Sequence, residues 1–127
     1  MTKKTFKILM LLKRRPGMPV EEFRTYYETI HAKLCEKYTA PGTRYMRRFL
    51  DPLPDPEFGK TEELPFDVIT ELWFEDETVF QQTVDYLSTI IMPDEVVEDE
   101  KNLFDRPKIR VATVVEYESD FADRKPS

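Results

Sequence analysis

From Thr5 to Lys13 this chain is almost continuously apolar, and a stripe of helical spacing follows close behind it. A strand that is apolar at both parities is covered on both faces or buried in an interface. Arg15-Pro16-Gly17 interrupts the run. Pro19 then suits the first turn of a helix, and Glu21 and Glu22 favour the positive end of its dipole. Val20, Phe23, Tyr27, Ile30 and Leu34 follow at spacings of 3, 4, 3 and 4, the pattern of a helix with one apolar face. Ala40-Pro41-Gly42 ends the region. The helix carries His31, the chain's one histidine and the only side chain with an unperturbed pKa near neutrality.

The rest of the chain supplies three further strands and a second helix. Between Thr43 and Asp51, Tyr45, Arg47 and Phe49 alternate with Arg44, Met46, Arg48 and Leu50, as on a strand. Pro52 to Pro65 holds four prolines and one glycine and reads as a long surface loop, expected beside the mouth of a cavity. Phe66 to Glu75 has the look of a central strand. Asp76 suits the N-cap of a helix carrying Phe80, Val84, Leu87 and Ile91. Pro93 opens a short acidic helical turn with Asp94, Glu95, Glu98, Asp99 and Glu100, read as a solvated face in preference to a metal site. Lys108 to Glu118 forms the last strand, and the tail beyond Phe121 is expected to fray. The order β-α-β-β-α-β predicts an α+β, ferredoxin-like fold, a four-stranded antiparallel sheet with both helices on one face.

Such a sheet leaves its other face to be covered. In the last strand Ile109, Val111, Thr113, Val115 and Tyr117 share one parity, while Ala112 and Val114 occupy the other. A second subunit is the simplest cover, so a homodimer is expected. At 127 residues the whole chain, 1–127, reads as one domain. A net charge of −6, with only small basic clusters at Lys13-Arg14-Arg15 and Arg44 to Arg48, argues against nucleic acid as a partner. No apolar run approaches the roughly 18 residues that span a membrane. The start, MTKKTFKILMLLKRR, lacks a small-residue cleavage site and is not read as a signal peptide. A cytoplasmic location is the expectation. Cys35 stands alone, which removes intramolecular disulfides and cysteine-based metal sites. It lies one turn after His31; buried packing is the plainer role and an activated thiol the alternative.

The segments LLKRRPGMPVEEFRTYYETIHAKL, FDVITELWFED and LFDRPKIRVATVVEYE resemble the EthD domain family, over roughly residues 5 to 118. The most specific pieces are the phenylalanine and tyrosines before His31 and the strand end Leu72-Trp73-Phe74. Where the family often has a proline two residues after the histidine, this chain has Lys33. The resemblance implies a dimeric α+β barrel, in which two ferredoxin-like sheets pack face to face around a pocket between sheet and helices. It also implies a small molecule of aromatic or polyketide-like character as ligand. Activities across the superfamily range from decarboxylases, cyclases and dehydratases to monooxygenases, and fold alone does not choose among them.

His31 is the leading candidate for chemistry. Helical geometry places it about 40° from Tyr27 and about 60° from Leu34, at the border of the apolar stripe. Desolvation there would leave a neutral imidazole able to accept a proton. A core histidine satisfied by one hydrogen bond is the alternative. Tyr27 is a second catalytic candidate, and Tyr26, Arg47 and Trp73 are candidates for substrate binding: a hydroxyl donor, a carboxylate anchor and a stacking surface. Asp105 and Arg106 match the family's segment before the last strand, or form a loop salt bridge. No phosphate-binding loop and no histidine-based metal spacing is present, so no metal and no cofactor is expected. The leading expectation is a cofactor-independent lyase, cyclase or isomerase. The alternatives are a cofactor-free or haem-assisted monooxygenase, and a non-catalytic dimer that binds a hydrophobic metabolite or supports an oxidative pathway.

Overall fold

The computed structural model describes residues 4–123. Four strands, β1 (Phe6–Leu12), β2 (Arg44–Phe49), β3 (Val68–Phe74) and β4 (Arg110–Thr113), form one antiparallel sheet in the order β2-β3-β1-β4. The apolar runs β1 and β3 are central, as their two-sided hydrophobicity requires. In register, Ile8 faces Leu72 and Thr113, and Tyr45 also pairs with Leu72. Period-2 alternation therefore puts Ile8, Met10, Leu12, Thr70, Leu72, Phe74, Tyr45 and Val111 on the helix side. Leu9, Leu11, Ile69, Glu71, Trp73, Met46 and Ala112 fall on the other. This is the ferredoxin-like α+β fold, as the element order predicts. Among the described residues no helix is long and apolar enough to cross a membrane.

The first helix is entered through a tight turn. Pro16 and Gly17 are its central residues, Met18 N–H bonds to Arg15 O at 3.1 Å, and Gly17 takes a φ of 80° that a side chain would disfavour. α1 (Val20–Tyr26) follows, then a π-helical turn (Tyr27–His31), then α2 (Ala32–Glu36). In the wide turn Ala32 N–H bonds to Tyr27 O, five residues back instead of four. The extra residue moves the buried face. The 3.6-residue period places Val20 and Ile30 inward, yet they are 37% and 48% exposed. Phe23, Tyr27, His31 and Ala32 are buried instead. His31, expected at the border of the stripe, lies at its centre.

α3 (Glu77–Thr89) starts at Asp76, whose carboxylate accepts from Thr78 N–H and Val79 N–H at 2.8 and 3.2 Å. Phe80 stacks on Phe6 and tilts against Phe74, with ring centres 5.3 and 5.9 Å away. That cluster pins the helix at its start, but no residue of α3 is fully buried. α4 (Asp94–Lys101) is the expected acidic helix, and the segment after it pairs with the end of β1. Arg15 N–H bonds to Leu103 O at 2.8 Å and Asp105 N–H to Lys13 O at 2.9 Å. Leu12, Met18, Phe23, Tyr27, Val68, Leu103 and Phe104 make the core. Phe23 has no exposed surface, and its burial contributes about 2–3 kcal/mol.

The last strand departs most from expectation, at both of its ends. The last strand runs only over Arg110–Thr113, because a 3-10 turn (Arg106–Lys108) around Pro107 displaces its start and β4 has β1 as its one neighbour. The chain beyond continues off the ladder, with Val115 and Tyr117 83% and 95% exposed. The loop after β2 is on the surface, as its prolines suggest, with Asp55 Oδ1 accepting from Glu57 N–H and Phe58 N–H in a local turn. Fraying beyond Phe121 falls in part on residues 124–127, which lie outside the described residues.

The cap on α3 makes a direct prediction. Asp76→Ala is expected to lower stability by about 1 kcal/mol, read as a lower urea midpoint at unchanged slope. Full retention of stability would mean that Phe80 alone holds the start of the helix.

Candidate functional site

A cavity of about 530 Å³ separates the sheet from the helices. Met10, Leu12, Leu72 and Phe74 form its floor, the Tyr27–Cys35 face one wall, Val96, Glu100 and Phe104 another, and Val79, Thr83, Tyr86 and Leu87 of α3 its roof. The roof explains why α3 carries no buried residue: beyond Phe80, its apolar side looks into the cavity and not onto the sheet. The Pro52–Pro65 loop contributes nothing to the lining, which corrects its expected place beside the mouth. It joins the opposite ends of β2 and β3 from Tyr45 and Phe74, and Glu63 and Leu64 at its end bind Lys13 instead.

The wide helical turn aims His31 at this cavity. Its ring stands edge-to-face against Tyr27 and Phe104, with centres 5.3 and 5.2 Å apart. Nδ1 lies 2.8 Å from Asp99 Oδ2, and Nε2 lies 3.4 Å from Cys35 Sγ. Asp99 is fixed from the other side by the Tyr26 hydroxyl, which donates to Oδ1 at 2.5 Å. A carboxylate accepts, so Nδ1 carries the proton and Nε2 presents its lone pair. Burial pulls the His31 pKa below its usual value, against the smaller raising effects of the Asp99 hydrogen bond and charge. The ring is therefore neutral at pH 7. Burial pushes the Cys35 thiol up to about 11, so its S–H is retained and can donate to Nε2. An Asp-His-Cys line exists here, but among the described residues no positive charge favours the thiolate that a nucleophile needs.

A second group of hydroxyls faces the same space, Tyr27 from the helical wall and Tyr45 and Thr70 from the sheet. Tyr27 Oη lies 2.5 Å from Thr70 Oγ1 and 3.3 Å from Tyr45 Oη. Burial pushes the Tyr27 phenol up to about 12 and raises Tyr45 further. Both stay protonated and are donors to any oxygen that gains negative charge. Glu100 also lines the cavity. Burial raises its pKa, opposed by Arg106, whose Nε is 3.5 Å from Oε1.

Of the residues proposed from sequence, His31 and Tyr27 line the cavity, and Tyr26, Arg47 and Trp73 do not. Tyr26 acts one step back, on Asp99. Arg47 shares the helix-side parity of β2, but Glu28 holds its guanidinium at 2.9 and 2.8 Å, so the carboxylate it anchors is the chain's own. Trp73 lies on the other face of the sheet, as alternation demands once Leu72 and Phe74 face inward. There Lys7 and Arg44 sit 4.1 and 4.7 Å from its ring centre, and its Nε1–H donates to Glu71 at 2.8 Å. Asp105 and Arg106 pair with Lys108 and Glu100, not with each other. Reading the acidic helix as a solvated face overlooked Asp99 and Glu100. The usable signal was Val96, Asp99, Glu100 and Leu103, spaced as one helix face.

The thiol gives the site a simple chemical test. Alkylation of Cys35 by iodoacetamide is expected to accelerate with pH up to about 11. An ordinary thiol levels off above roughly pH 8.5. A plateau at or below neutral pH would instead reveal a thiolate paired with His31.

Comparison with known proteins agrees with this fold. The chain matches the EthD domain family model over residues 15–107, the segment that holds His31, Tyr45, Asp99 and Glu100. It also resembles the crystal structure of an ethyl tert-butyl ether D (EthD) family protein from Bacillus halodurans C-125, with a TM-score of 0.53 and 19% identity. That alignment covers 90% of this chain and 100% of the other, and at such identity it speaks for the fold alone. No curated protein matches the sequence. With the family match spanning well over half of its length, the chain belongs to the EthD domain family.

Proposed function

We propose that this protein is a cofactor-independent acid–base catalyst, a lyase, cyclase or isomerase, acting on an aromatic or polyketide-like small molecule. The observation that carries the reading is the Asp99–His31 hydrogen bond, which fixes the tautomer and leaves Nε2 as the base beside an apolar cavity. A substrate with an activated C–H or a phenolic O–H would take the position of the Cys35 thiol and pass its proton to Nε2. Asp99 would stabilise the imidazolium that forms, and Tyr26 would hold Asp99 in place. The electrons left on the substrate would delocalise onto its carbonyl or ring oxygen, which Tyr27 and Tyr45 can meet with O–H donors. Returning the proton to a different atom completes an isomerisation, and returning it to a leaving group completes an elimination.

Chemistry of this kind can be tested before the natural substrate is known. 2-Tetralone, an aromatic ketone with an activated methylene, is the probe, and deuterium uptake from heavy water is followed by NMR. The protein is expected to accelerate exchange, and His31→Gln to remove about 100-fold or more of that acceleration. Asp99→Asn is expected to act in the same direction and to depress the His31 pKa further, since Asp99 is the group that raises it. Because the neutral ring is the active form, the rate should fall as pH drops through a midpoint below 6.5 and stay level above it. Exchange no faster than in imidazole buffer, or unaffected by His31→Gln, would remove the acid–base reading.

We also propose that the chain works as a homodimer, in which two sheets pack through the face away from the helices. Leu9, Leu11, Met46 and Ile69 on that face are only half-buried within one chain. Ile109 and Val111 of the last segment line the cavity and do not belong to that face. Sedimentation equilibrium at micromolar concentration is expected to give twice the chain mass. A folded monomer there would dismiss the pairing of sheets.

A further inference from the structure

The charge balance of the cavity bears on what it admits. Among the described residues, no Lys or Arg lines it. Its polar groups are hydroxyls of tyrosines and threonines, one glutamine, the neutral His31, the protonated Cys35 and the carboxyl of Glu100. Arg47, the cation on the helix side of β2, is taken by Glu28. Arg106 approaches Glu100 from outside the lining, at 3.5 Å to one oxygen and with a 39% exposed side chain. The Glu100 side chain itself is 16% exposed. It sits one position after Asp99 on α4, so the helix that orients His31 also carries the cavity's carboxyl group.

A ligand carboxylate entering this space would face the half-buried Glu100 carboxyl group and find no cation in the lining, and burying an unpaired charge is costly. A neutral hydroxyl would find an acceptor. We infer that Glu100 is a specificity-determining residue, which accepts a hydrogen bond from the O–H of an uncharged hydroxyaryl ligand and excludes the same ring bearing a carboxylate. The inference rests on the reading of the cavity as an aromatic-ligand site and is independent of whether His31 catalyses. It also follows that a reaction supplying this ligand must leave it without an ionised acid group on that edge.

Three probes with one ring system test it by calorimetry at pH 7: 2-naphthol, 2-methoxynaphthalene and 2-naphthoate. At that pH the phenol is neutral and the acid ionised. The wild-type protein is expected to bind 2-naphthol at least 10-fold more tightly than either of the others. The methyl ether has lost the donor, and the carboxylate is repelled. Glu100→Gln is expected to narrow the naphthol-to-naphthoate ratio at least fivefold, chiefly by improving naphthoate. Glu100→Asp, which keeps the carboxyl group, is expected to preserve the order even if the glutamine variant fails to fold. Equal binding of all three probes, or a ratio unmoved in Glu100→Gln, would overturn the role of Glu100 while leaving the aromatic cavity in place. Binding of none would overturn both.

Discussion

One backbone hydrogen bond, from Ala32 N–H to Tyr27 O, sets the positions of most of what matters here. It replaces a normal helical link with a wider one, and by inserting one residue it rotates everything after it. Phe23, Tyr27, His31 and Cys35 then share one side of the helix. Phe23 and Tyr27 anchor that side in an edge-to-face cluster with Phe49 and Phe104. His31 and Cys35 are carried beyond the cluster to the cavity edge. Without the extra residue Ile30 would point inward and the histidine would sit at the margin. The helix gives up a regular turn, and the site gains a buried imidazole.

The wide turn alone would leave that imidazole undirected. α4 completes the arrangement from far along the sequence: Tyr26 and His31 on one element grip the two oxygens of Asp99 on the other. The grip depends in turn on the short pairing of Lys13 to Arg15 with Leu103 to Asp105, which ties the end of α4 to the end of β1. Burial keeps the histidine neutral and the thiol and phenols protonated, so the site holds few charges until something enters it. Its reserve is in proton affinity, not in field.

Much of this was legible in the sequence, and the exceptions share a cause. Strand order, the two main helices, the cap at Asp76 and the prominence of His31 follow from apolar periodicity and turn residues, both local signals. Ile30 and the true centre of the stripe did not, because the π turn breaks the period on which the reading relied. Trp73 was ambiguous since Leu72 and Phe74 flank it, and an all-apolar strand end does not say which parity faces inward. Arg47 depended on Glu28, a partner on a different element whose proximity no spacing rule gives. Asp99 and Glu100 were hidden by their neighbours: a helix with five acids in seven residues looks solvated, although Val96 and Leu103 mark its inner side.

The roof of the cavity differs in kind from its walls. α3 is fastened at its first turn and contributes no fully buried residue, so its inward side chains hold little of the fold together. Trimming Phe23 or Tyr27 would open a hole in the core, at a cost of about 3–5 kcal/mol. A change at Val79, Thr83 or Leu87 merely redraws a boundary that is already open. Substitutions there can therefore reshape the ceiling of the cavity almost freely, while the wall that carries Tyr27 and His31 stays fixed by the core behind it.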